Sequence, residues 1–86
     1  MEIERFSEIM EGDSELSKYR GKCTALAGLN LIAKYLPESG IEAASHDIIY
    51  ACGVEELLAA GLTEEDAHEL RRMNWMISED SLAKFV

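Results

Sequence analysis

The stretch "SHDIIYACG", residues 45–53, brings His46, Asp47, Tyr50 and Cys52 into one short apolar run. Histidine, carboxylate and thiol are ligand types that zinc accepts, and a thiol beside an imidazole is the pair that cysteine nucleophiles use. Spacing decides against a local site. In a strand His46 and Cys52 share a face but lie about 20 Å apart; in a helix they lie about 9 Å apart along the axis and point about 120° away from each other. Neither geometry lets both reach one ion. A shared site needs partners from elsewhere, such as Cys23 or His68, and no CxxC or HxxxH spacing is present. Cys52 with His68, or Cys23 with His46, stays open in space. On these residues alone the segment reads as core with a polar entrance at residues 45–47, and no metal, cofactor or catalytic residue is expected.

Two other patterns invite chemistry. "KYRGKCT" puts a lysine and a glycine ahead of an apolar helix, as phosphate-binding loops do, but the second glycine of that loop would fall at position 16, which is Leu16. Lys18, Arg20 and Lys22 read instead as a basic patch that pairs with acids of the same chain. Paired carboxylates are plentiful, notably Glu55 with Glu56, and Glu64, Glu65 and Asp66 with Glu69. General acid and base work requires one of a pair to sit in an apolar pocket, whereas these fall on the polar face of helices. The chain is read as non-enzymatic.

The elements that position these residues follow from periodicity. Ile3, Phe6, Ile9 and Met10 recur at helical spacing with glutamates between them, predicting an amphipathic helix over the first eleven residues. From about Lys22 to Leu36, Cys23, Leu26, Leu29, Ile32, Ala33 and Leu36 form a stripe, and Ala25, Ala27, Leu31 and Tyr35 fill most of the rest. A helix apolar on most sides is expected at the centre of the domain. Gly28 there permits close approach of another backbone, and Pro37 stops the helix. Residues 37–44 read as loop. Residues 46–52 fit a strand, with a helix capped by Ser45 as the alternative.

A short helix is expected around residues 55–60, ended by Gly61, and a longer one at 63–73. In the latter Thr63 is the N-cap, the acids of the first turn and Arg71 and Arg72 of the last complement the dipole, and Asn74 closes it. Leu62, Ala67, Leu70 and Met73 face inward. "WMISEDSLAKFV" reads as a hairpin whose three-residue loop at 79–81 pairs Trp75 with Phe85 and Ile77 with Ala83, with a strand followed by a helix capped by Ser78 as the alternative. The expectation is a small α+β domain, a single unit over residues 1–86, with helices packed on a short antiparallel sheet or hairpin; all-α is the alternative.

The run from "HDIIY" through "GLTEEDAHELRRMNW" to the terminal "FV" resembles a pattern in small uncharacterised bacterial and phage-encoded proteins. It covers residues 46–86 and carries no activity. It implies strand, helix and hairpin in the second half, and a mobile-element origin.

Charge supplies the functional expectation. The net charge is −9, and residues 38–69 hold nine acids with no lysine or arginine. Such a surface repels phosphate backbones, which excludes direct nucleic-acid binding. No stretch is long and apolar enough for a membrane span, and the acidic start is unlike a signal peptide, so a soluble cytoplasmic protein is expected. Glu64, Glu65, Asp66, Glu69, Glu79 and Asp80 are expected to form an acidic binding face for a basic, nucleic-acid-handling host protein, such as a defence complex that a phage product blocks. The alternative is that acidity serves only solubility in a structural or self-associating accessory protein. Met73, Trp75 and Met76 are the candidates for homodimer contact.

Overall fold

The computed structural model describes residues 1–12, 24–38, 40–45 and 47–85. Its elements are α1 (Ile3–Glu11), α2 (Thr24–Tyr35), β1 (Ala43–Ser45), β2 (Ile48–Gly53), α3 (Val54–Ala59), α4 (Glu64–Arg72), β3 (Met76–Ser78) and β4 (Ser81–Phe85). The four strands form one antiparallel sheet in the order β1-β2-β4-β3, so the domain is α+β. No helix among the described residues is long and apolar enough to cross a membrane.

β2 is the strand expected at residues 46–52, displaced by one or two positions. It pairs with β1, which falls inside the segment read as loop; Ala43–Ser45 lacks any strand-favouring residue and is held by its neighbour, with Glu42 N–H donating to the Tyr50 carbonyl at 2.8 Å. Against β4, Tyr50 pairs with Ala83 but Gly53 pairs with Ser81, so β2 carries one extra residue. That bulge turns Ala51 and Cys52 inward together, and both are buried.

The closing hairpin differs from expectation in register. Met76 pairs with Ala83, Ile77 with Leu82 and Ser78 with Ser81, leaving a two-residue turn at Glu79 and Asp80. Both adopt left-handed backbone, φ 51° and 63°, which matches the twist of the flanking strands better than a three-residue loop without glycine. The one-residue change sends Trp75 to the core instead of pairing it with Phe85.

α4 forms as its sequence dictates. The Thr63 hydroxyl accepts from Asp66 N–H at 3.2 Å, and Asn74 takes φ 65° just beyond the last turn. Leu62, Ala67, Leu70 and Met73 are all buried. α1 runs parallel to α4: Arg5 reaches Glu64 at one end, and Arg71 Nε donates to the Gly12 carbonyl at 2.7 Å at the other. α1 contributes Phe6, Ile9 and Met10 to the core.

α2 is not the central helix its composition predicts. Gly28 and Ile32 are its buried positions, while Leu26 is 57% exposed. The centre is occupied by Trp75, fully buried, whose indole lies against Gly28 and whose Nε1–H donates to the Thr24 carbonyl at 3.1 Å. Gly28 thus admits an aromatic ring where a second backbone was expected. Cys23 and Lys22, placed at the start of this helix by the sequence, lie outside the described residues, as do Lys18 and Arg20.

Strand register sorts the sheet into two faces. Ile49, Ile77, Leu82 and Lys84 point one way, and the first three join the hydrophobic core with the helices. Ile48, Tyr50, Met76, Ala83 and Phe85 point the other way, and none belongs to that core.

Candidate functional site

Cys52 is buried within the bulge of β2, and burial pushes its thiol up to about 11. A thiol that stays protonated is a poor nucleophile and a poor metal ligand. Asp47 lies in the turn before β2, and His46 lies outside the described residues. Among the described residues no group of three or more His, Cys, Asp or Glu could hold a metal ion. Met73 and Trp75 are 2% and 0% exposed, so core packing takes them away from the self-contact expected of them; Met76 is half-buried on the opposite sheet face.

Of the six acids expected to form the binding face, three are matched inside the molecule. The Arg5 guanidinium donates to Glu64 and to Glu8, holding the Glu64 carboxyl below the usual carboxylate range. Lys34 Nζ donates to Asp66 at 2.6 Å and the Tyr35 hydroxyl donates to the same carboxylate, so Asp66 is lowered as well, first by Lys34. Arg72 pairs with Glu69 at 2.8 Å. The Arg5 and Lys34 pairs tie α1 and α2 to α4, and the Arg72 pair lies within α4. Glu65 is exposed on α4, whereas Glu79 and Asp80 sit in the β3–β4 turn.

That turn packs against a different group of acids. Val54 N–H donates to the Asp80 carbonyl at 2.9 Å, and Glu55, Glu56 and Asp80 line a depression of about 260 Å³ with Ile3, Gly53 and Val54. Glu56 also lines a second depression, of about 580 Å³, with Glu38, Glu42, Leu36 and Pro37. No family model, curated protein or solved structure matches this chain. The site rests on its geometry.

The carboxylates of Glu38, Glu42, Glu55, Glu56 and Asp80 thus lie along two adjoining depressions, and among the described residues none has an ion-pair partner. Four of these five were not singled out as binding residues from sequence. Four parts of the fold bring them together: the turn after α2 sets Glu38, the β1–β2 pairing sets Glu42, α3 sets Glu55 and Glu56, and the β3–β4 turn sets Asp80. The sequence signal available was the absence of any lysine or arginine across residues 38–69, which leaves these acids without a near neighbour in the chain. Exposed carboxylates of this kind supply an outward negative field and acceptors for guanidinium and ammonium groups.

Proposed function

We propose that this protein is a non-enzymatic binding module that engages a basic protein partner through its acidic surface, centred on Glu38, Glu42, Glu55, Glu56 and Asp80. The observation that carries the reading is the division of the acids. Those on α4 are largely matched by Arg5, Lys34 and Arg72, while the five at the α3 end have no ion-pair partner among the described residues. A rigid set of unmatched carboxylates gives a basic partner more than a matched set can, because no internal ion pair must be broken first. The likeness of the second half to phage-encoded proteins favours a host protein whose basic groove handles nucleic acid.

The test is capture of binding proteins from host extract, followed by charge reversal. E38K/E42K/E56K and E64K/E65K/E69K change net charge equally, so a difference between them reports location. The first triple is expected to weaken binding more than the second, and added salt to weaken the parent complex. A partner that binds both triples as well as the parent, or that ignores ionic strength, overturns the reading and leaves acidity as a solubility device.

A further inference from the structure

We propose that Asp66, on α4 and outside both depressions, is a positioning residue for the acidic surface, which it holds in shape by fixing the end of α2. This rests on the binding reading above. Lys34 Nζ donates to the Asp66 carboxylate at 2.6 Å, the Tyr35 hydroxyl donates to the same carboxylate, and Thr63 N–H donates in turn to the Tyr35 hydroxyl at 3.4 Å. Lys34 and Tyr35 are the last two residues of α2, and the next three, Leu36, Pro37 and Glu38, line the larger depression. The latch and the wall are consecutive in the chain.

The carboxylates of that depression come from separate parts of the fold, and each is placed only as well as the part that carries it. Glu42 is held by backbone pairing, its N–H on the Tyr50 carbonyl at 2.8 Å, and Glu56 rides on α3, whose Val54 and Leu57 are buried. Glu38 is carried by neither. It lies exposed in the turn after α2, and two residues further on a Cβ added at Gly40 would meet nothing within 4 Å. Its position follows the end of α2. Ile32 is the last buried residue of that helix, and Leu36 N–H donates to the Ile32 carbonyl at 2.9 Å, which carries the orientation of the last turn into the depression wall. Releasing Lys34 and Tyr35 from Asp66 lets that turn, and Glu38 with it, shift relative to Glu42 and Glu56. A cationic partner then meets carboxylates whose spacing is no longer set in advance, and binds less tightly.

The test uses hexa-arginine as probe, with affinity read from the amide NMR signals of Glu38, Glu42 and Glu56. Tyr35→Phe removes one arm of the latch without changing charge, and Asp66→Asn weakens both arms. Glu65→Gln, at the exposed acid next to Asp66, matches the charge change of Asp66→Asn. Each latch variant is expected to raise the dissociation constant about threefold or more, and Glu65→Gln to raise it less, with an unchanged circular dichroism spectrum. The double latch variant is expected to lose no more than the weaker-binding single variant, since both act through one carboxylate. Should Tyr35→Phe fail to fold, the comparison of Asp66→Asn with Glu65→Gln decides. Parental affinity in Tyr35→Phe, or an Asp66→Asn effect no larger than that of Glu65→Gln, overturns the proposal and leaves the acidic surface standing. Binding no weaker in E38K/E42K/E56K than in E64K/E65K/E69K overturns both.

Discussion

Replacing Gly28 by alanine sets a local preference against a tertiary contact, and the structure says which prevails. In an isolated helix the substitution favours folding by about 1 kcal/mol. Here the new Cβ would stand 1.9 Å from Trp75 Nε1, 2.3 Å from Cε2 and 2.7 Å from Cζ2. Reaching ordinary contact requires the ring or the helix to move by roughly 1.5 Å. Neither is free to do so: the indole is fully buried and its N–H is bonded to the Thr24 carbonyl on the same helix. Overpacking of this kind costs about 1–3 kcal/mol, and a buried N–H that loses its acceptor costs a further 1–3, roughly. The net expectation is a loss of about 1–5 kcal/mol, a large part of the roughly 4–13 kcal/mol typical of a domain this size. Urea unfolding followed by fluorescence of the chain's single tryptophan reads the effect at its source, and circular dichroism serves for a Gly28→Ala/Trp75→Phe cycle. Gly40→Ala, with nothing within 4 Å of the added atom, is the control and should be near neutral. A Gly28→Ala protein as stable as its parent would refute the packing described at the centre of this fold.

Three further outcomes are expected. Cys52, buried and raised to about 11, should resist alkylation at neutral pH in the native protein and react on unfolding, as mass spectrometry of the labelled peptide would show. Because the folded thiol keeps its proton above the pH at which the unfolded one loses it, this contribution to stability is intact below about pH 8.5 and is lost as pH rises toward 11; Cys52→Ala should flatten that alkaline decline in urea midpoint. Asp66 has the opposite sign: with its carboxyl held low by Lys34 and Tyr35, its contribution is full above the ordinary aspartate value near 4 and is lost as pH falls below it, so Asp66→Asn should reduce the acid sensitivity of the unfolding midpoint. Glu79→Asn with Asp80→Gly supplies residues suited to two left-handed positions and should stabilise the hairpin by about 1 kcal/mol, measured by the same unfolding curves; a loss would show the turn is not of this type.

The parts legible in the sequence were those determined within a few residues. α4 is the clearest: a cap at Thr63, inward positions at 62, 67, 70 and 73, and a left-handed exit at Asn74 are all set by local chemistry. The strand at residues 48–53 and the helix at 54–59 follow from side-chain type and from Gly61, whose φ of 100° ends the turn beyond. What escaped depended on distant partners. The apolar circumference of α2 suggested a central position, but the groove over Trp75 accepts only the side carrying Gly28 and Ile32. β1 is invisible alone because its residues are not strand formers. The hairpin register turned on whether Glu79 and Asp80 would both accept positive φ, which their side chains do not announce.

The same distinction explains why the acids divide as they do. The expected face on α4 was drawn from acids close in sequence, yet closeness in sequence also set them beside the seams where α1 and α2 dock, and those seams supply Arg5 and Lys34. Arg72 serves Glu69 one turn back, Arg71 is committed to the carbonyls of Gly12 and Trp75, and Lys84 is itself engaged. Arg5, Lys34 and Arg71 are therefore spent on joining α1 and α2 to α4, Arg72 on a pair within α4, and none of these four pairs with an acid at the α3 end. Acids gathered there from the turn after α2, the entry to β1, α3 and a hairpin turn are left facing outward because the sheet pairing that assembles them is made by backbone, which neutralises nothing. A fold that fastens its helices with side-chain ion pairs and its sheet with backbone bonds concentrates unmatched charge at the sheet-to-helix junction, and that junction is where a cationic partner would gain most.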